Sequence, residues 1–313
     1  MRTFFAALAA GGMLIAIPAR AADDCQLERF ASLEMIPEAK GRIMVPVRIQ
    51  GHPMMFAVDT GSGGSMITQA AAQSLGLRIE RFTGSRATLW GGTRLTRYVN
   101  VSDFTIRRNR VNPTQFYVLP DAYVTPGLDG VLGTDVLRYF DVDFDFANGK
   151  LNLFRRYHCR GKVVYWTQDP NVITLKFRTS INAWGSMNPD ENQILFYVTI
   201  DGHDILAQLD TGSPTNAMNL EKAQAVFGIR PDSPGVQRIT SERAGALYRY
   251  HFKTLSFDGV TVRNPEFHLD SYDLNKMPRN EPPILIGMNT LRQFHLYISY
   301  EERKLFISLA DAK

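Results

Sequence analysis

Phe56-Ala57-Val58-Asp59-Thr60-Gly61-Ser62 returns later in the chain as Ala207-Gln208-Leu209-Asp210-Thr211-Gly212-Ser213. Average composition predicts on the order of a few hundredths of a chance Asp-Thr-Gly in a chain of 313 residues. Two copies, each closing an apolar run and each followed by Ser, therefore mark a duplication. An acid at the end of a buried strand is costly unless its charge is paired or used. The simplest reading is that the fold brings Asp59 and Asp210 together for chemistry.

The repeat extends to both sides of the turn. Arg42 to His52 and Gln193 to His203 each read as a period-2 strand ending in a Gly turn, with Gly51 and Gly202 at matched places. A second strand then runs into each acidic turn, which is the pattern of a hairpin. Helical patterns follow over Gln69 to Leu77 and Leu220 to Ile229, around Gly76 and Gly228 as stops. Polar, Gly-containing hairpin tips follow near Trp90-Gly91-Gly92-Thr93 and Arg243-Ala244-Gly245-Ala246. Gly130-Val131-Leu132-Gly133 and Ile284-Leu285-Ile286-Gly287 match as apolar strands entering short helices, with Asp135 and Asn289 expected to cap them. Closing hairpins run from Val142 to Phe154, turning at Asn148-Gly149, and from Leu296 to Ser308, turning at Glu301-Glu302. Asp143 and Asp145 alternate with apolar residues, as the wet face of a strand would. The expected fold is mainly β: two pseudo-symmetric lobes, residues 26–154 and 170–313, joined by a link over 155–169, with a cleft between them.

Pairing the lobes across their pseudo-axis sets Asp59 against Asp210. Two carboxyls in one site share a proton and titrate as a unit. One can then deprotonate a water while the other protonates a carbonyl oxygen. Gly61 and Gly212 allow two backbone turns to approach closely and to present N–H groups. Thr60 and Thr211 are placed to bond across the seam, and the Ser62 and Ser213 hydroxyls to donate to the outer carboxylate oxygens. The alternative for each acid is a structural turn, which paired copies in matched context disfavour.

With the two Asp-Thr-Gly-Ser turns and the Leu132-Gly133 and Ile286-Gly287 segments, the chain resembles the aspartic proteases of the retropepsin-like type, duplicated into one chain as in the pepsin-like enzymes. The resemblance covers nearly all of the chain after its first 25 residues. It implies two acid-protease lobes and catalytic roles for Asp59 and Asp210. It also implies an interlock by Thr60 and Thr211, and flaps near Trp90, Gly91 and Gly92 and near Arg243 and Gly245 closing over an extended peptide or protein substrate. The pattern departs from the family in places: no pepsin-type flap tyrosine stands at a matching position, and Thr134 and Met288 stand where viral enzymes often carry Arg. Trp90 can equally be a buried aromatic. Asp59 follows residue 22 too soon for a pepsin-like pro-segment.

Other chemistries find little support. No Lys-Ser or Lys-Thr follows the Gly61 to Ser65 run as a phosphate loop requires, and no His pair has zinc-protease spacing. No metal or cofactor is expected. Residues 1–21 read as an export signal: Arg2, an apolar run from Phe4 to Ile17, and Ala19-Arg20-Ala21 as cleavage site. The run falls short of a membrane span, so no stable span is expected after removal, and the periplasm is the expected compartment, with the cell surface or medium as alternatives. Cleavage lowers the basic count from 35 to 33 against 31 acids, a net of +2, which argues for no nucleic-acid partner. Cys25 and Cys159 can form one disulfide in an oxidising compartment, or stay unpaired. The leading expectation is an exported, monomeric aspartic endopeptidase with pseudo-dimeric lobes. The alternatives are a silent peptide-binding scaffold with the same fold, and two chains that exchange lobes.

Overall fold

The computed structural model describes residues 27–83, 87–90, 92–111, 115–158, 160–181, 187–239, 246–272 and 283–310. Residues 1–21, expected to be a signal, both cysteines, Gly91, Arg243 and Gly245 lie outside these residues. No described helix is long and apolar enough to cross a membrane.

The chain is mainly β, in two lobes of one topology. In lobe one the strand order is Asn109–Val111, Phe104–Ile106, Ile43–Ile49, His52–Val58, Gly130–Leu132, Met66–Thr68, Gln115–Leu119, Arg97–Asn100 and Ile79–Arg81. Lobe two reproduces it strand for strand: Val260–Arg263, Thr254–Phe257, Met187–Ile200, His203–Leu209, Ile284–Ile286, Asn216–Asn219, Glu266–Asp270, Leu247–His251 and Gln237–Ile239. The first hairpin of each lobe turns on two residues of positive φ, Gln50-Gly51 and Asp201-Gly202, the geometry that suits the twist of paired strands. Each then ends in its acidic turn.

The helices are shorter than the sequence pattern suggests, at Gln69–Ser74 and Leu220–Phe227. Thr68 and Asn219 cap their N-termini by accepting from Ala71 and Lys222 N–H. Gly76 and Gly228 end them at φ 64° and 70°, where a left-handed residue lets the following N–H groups reach back to the last carbonyls.

The two closing hairpins pair with each other. Six antiparallel strands run Arg29–Glu34, Lys150–Arg155, Phe140–Asp145, Phe294–Ser299, Lys304–Leu309 and Asn171–Thr174, with Asp143 set against Tyr297 at the seam. Each lobe thereby buries the strand edge of the other. Asp143 is fully buried here, which corrects the expectation of a wet face; Asp145 is partly buried. His295 Nε2 lies 2.6 Å from Asp143 Oδ1, while Asn152 and Tyr165 donate to Oδ2 at 2.7 and 2.6 Å. Asp141, also buried, meets His158 at 2.5 Å and accepts from the Tyr300 N–H at 3.1 Å. Alternation could not reveal this, because both faces of the central strand are covered.

Candidate active site

Asp59 and Asp210 each leave the end of a central strand and are held by a neighbour, Asp59 N–H donating to Leu132 O and Asp210 N–H to Ile286 O, both at 3.0 Å. The acids of the two lobes come together, their carboxyls within hydrogen-bonding reach of each other. Glycine makes this approach possible. A Cβ on Gly61 would stand 2.4 Å from Asp210 Cγ, and one on Gly212 would stand 2.2 Å from Asp59 Cγ. Each lobe therefore yields the space its partner's acid occupies.

The threonines interlock the turns. Thr60 Oγ1 donates to Leu209 O at 2.9 Å and accepts from Thr211 N–H at 3.0 Å; Thr211 Oγ1 donates to Val58 O at 2.8 Å and accepts from Thr60 N–H at 3.1 Å. Both residues are fully buried, so each bond contributes about 1 kcal/mol net and more would be lost by orphaning its partner.

The serine expectation needs correction. Ser62 and Ser213 hydroxyls turn away to Gly64 O and Thr215 O, both at 2.7 Å. Backbone does the work expected of them: Gly61 and Ser62 N–H donate to Asp59 Oδ1 at 2.8 and 2.9 Å, and Gly212 and Ser213 N–H to Asp210 Oδ1 at 2.9 and 3.1 Å. In a turn this tight the amides already point at the carboxylate, and the hydroxyls instead close the loop behind.

Asp135 and Asn289 are not helix caps either; those positions belong to Gly133 and Gly287, without a side-chain bond. Asp135 accepts from Ser65 Oγ at 2.7 Å, and Asn289 Oδ1 from Asn216 N–H at 2.8 Å. Both brace the strand that follows the acidic turn. Sequence equivalence paired them, but their partners lie about 70 residues away in the chain.

The hairpin of Ala87–Thr88 and Arg94–Leu95 carries Trp90 and Gly92 in its turn. Trp90 is a crossing residue rather than a core one. Its Nε1 donates to Asp270 Oδ2 of lobe two at 2.8 Å, and its ring meets Tyr272 edge-on at 5.0 Å. Sequence reasoning missed Asp270 and Tyr272, whose only signal was their place at the end of the lobe-two strand matched to Gln115–Leu119.

Burial and mutual proximity raise both acids. Burial raises the Asp59 carboxyl above its ordinary value, against the Asp210 hydrogen bond, the Arg42 charge and the Gly61 and Ser62 N–H groups. Burial raises Asp210 well above its ordinary value, and the Asp59 charge and hydrogen bond add to the rise. Both carboxyls are thus raised together, and the pair holds one proton between them and titrates as a unit. A buried carboxyl pair with one proton can act on a bound water and a carbonyl at once.

Residues 45–136 match the family model described as aspartyl protease. No curated protein sequence matches the chain. Among solved structures 407 chains match. One of them is the crystal structure of an aspartic proteinase from Irpex lacteus, with a TM-score of 0.52 and 11% identity, covering 90% of this chain and 98% of that one. At that identity the likeness is one of fold. The family match thus lies within lobe one, while the likeness in fold to that proteinase extends over both lobes.

Proposed function

We propose that the chain is an aspartic endopeptidase that hydrolyses extended peptide segments by direct attack of water, with Asp59 and Asp210 as its catalytic residues. The reading rests on two buried carboxyls, one from each lobe, meeting across an interlocked pair of turns. Asp59 takes a proton from a water held between the acids, while Asp210 gives its proton to the peptide carbonyl oxygen. The new C–O bond yields a neutral tetrahedral diol. Asp59 then passes its proton to the peptide nitrogen, the C–N bond breaks, and a diol hydroxyl returns a proton to Asp210. No covalent enzyme intermediate forms, and the carboxyls end as they began.

The hairpin bearing Trp90 is the first flap, which closes over the substrate. The sequence of residues 1–21 supports export, with the periplasm as compartment. A peptide-library digest from pH 3 to 7, with and without a statine-type inhibitor, tests the activity. Cuts that the inhibitor blocks are expected. Asp59→Asn and Asp210→Asn should each lower kcat by roughly 10²–10⁴-fold or more while keeping the wild-type circular dichroism. Normal turnover by either variant would rule the mechanism out.

A further inference from the structure

The pseudo-two-fold repeats the acids but not the residues facing them. In lobe one the register of Ile43–Ile49 on His52–Val58 sets Met44 against Ala57. Continued two residues past the end of that ladder, the register brings Arg42 level with Asp59, and the Arg42 charge acts on that carboxyl. In lobe two Leu195 sits against Gln208, and the same step brings Gln193 level with Asp210. The extended registers thus bring a guanidinium level with the acid in one lobe and a neutral amide level with it in the other.

Arg42 is held in place. Its side chain is 13% exposed; Nε donates to Glu38 Oε2 at 3.3 Å and Nη2 to Thr125 Oγ1 at 3.4 Å. Glu38 is buried and also accepts from Lys40 N–H at 3.1 Å. Burial pushes the Glu38 carboxyl up, but the Arg42 and Thr125 bonds, the Arg42 charge and the Lys40 N–H outweigh it and bring it below its ordinary value. Glu38 is therefore the ionised anchor of the guanidinium. From lobe two, Arg292 Nη2 clasps the neighbouring Gly41 carbonyl at 2.6 Å.

Gln193 plays another part. Its Nε2 donates to Gly61 O at 3.2 Å, beside Gln208 Nε2 at 2.8 Å. Lobe two thus steadies the lobe-one turn through neutral bonds. The groups facing Asp59 are Asp210 from the opposite turn, Arg42 from the adjoining strand and the Gly61 and Ser62 N–H groups, with Glu38 behind Arg42 offsetting part of its charge. A nearby cation favours a carboxylate in its charged form, and a guanidinium keeps its charge at every working pH.

We infer that Arg42 is a positioning residue for the reaction: from its place level with Asp59 it keeps that carboxylate ionised as the base, while the neutral Gln193 level with Asp210 leaves the shared proton there. The catalytic consequence rests on the endopeptidase reading; the unequal protonation does not. The duplicated turn alone would let the acids exchange roles, and Arg42 removes that freedom.

The test follows the Asp59 carboxyl by ¹³C NMR titration in the full chain, alongside the pH profile of kcat/KM. The variants are Arg42→Gln, Arg42→Lys and the double variant Glu38→Gln/Arg42→Gln, which leaves no buried carboxylate unpaired if the single change disturbs folding. The Asp59 midpoint should rise in Arg42→Gln and in the double variant and stay nearer wild type in Arg42→Lys. The acid limb of the profile should move upward in parallel, with the loss confined to the acid side and the plateau retained. An unmoved Asp59 midpoint in the double variant, or a Lys variant no closer to wild type than Gln, overturns the inference. An unmoved acid limb in a cleaving enzyme overturns it as well. Moved midpoints in a wild-type chain that cuts no peptide would leave Arg42 its electrostatic role and remove the endopeptidase reading instead.

Discussion

At the scale of single residues the site is a contest between burial and charge. Asp210 is 9% exposed and lies against a second carboxyl. Its raised affinity for a proton means that the folded chain binds more protons than the unfolded one above the ordinary carboxylate range. Stability therefore falls as pH climbs from the unfolded value near 3.8 through the folded one. Asp210→Asn removes that cost, so it should melt above wild type at pH 7, with the gap closing toward pH 4. Thermal melts across that range check it, and a constant gap would contradict the burial account. The two acids, the threonines and the glycines were all legible as residue types, because the turn has one local sequence and occurs twice. The roles of Ser62 and Ser213 were not, since a hydroxyl's partner depends on a rotamer and here lies two residues on.

Elements answer to a different balance. The hairpin with Trp90 spans only two residues on each side, too little to be stable unaided. Its bond to Asp270 and its contact with Tyr272 supply a hold from the opposite lobe. Trp90→Phe keeps a ring but loses the N–H donor, a change of about 1 kcal/mol. We expect a several-fold rise in KM with kcat little altered, and faster limited proteolysis of residues 84–95. An unchanged cleavage pattern and KM would show that the hairpin is held by other contacts. The presence of a Gly-rich tip could be read from the sequence. Its destination could not, because Trp90 and Asp270 lie 180 residues apart and no periodicity links them.

For the whole molecule, the lobes are joined by a shared sheet as well as by a shared site. Asp143 gathers His295, Asn152 and Tyr165 from three other segments, and Trp166 stacks on His295 at 4.1 Å. Burial and the Asp143 charge push the Tyr165 phenol up, so it remains a donor. Asp143→Ala would leave these buried partners unsatisfied and should cost on the order of 3 kcal/mol, read from the denaturant midpoint. Asp145→Ala, at a less enclosed position of the same strand, should stay within about 1 kcal/mol. Equal losses would mean that the seam cluster is not special. A strand of alternating acids reads as half-wet from one chain segment, and only the second lobe, arriving on its open edge, reveals that Asp143 is inside.

What the sequence by itself determined is the duplication: two β lobes, their hairpins and helix stops, and one acid at the end of a matched strand in each. Local chemistry suffices for these, since turn residues, strand alternation and a repeated motif act over a few neighbours. Tertiary structure alone decided that the two carboxyls share a proton, which residue reaches from one lobe to the other, and where the closing hairpins pair. Each depends on groups brought together from opposite lobes, where burial and field are set by distance in space and not by separation along the chain.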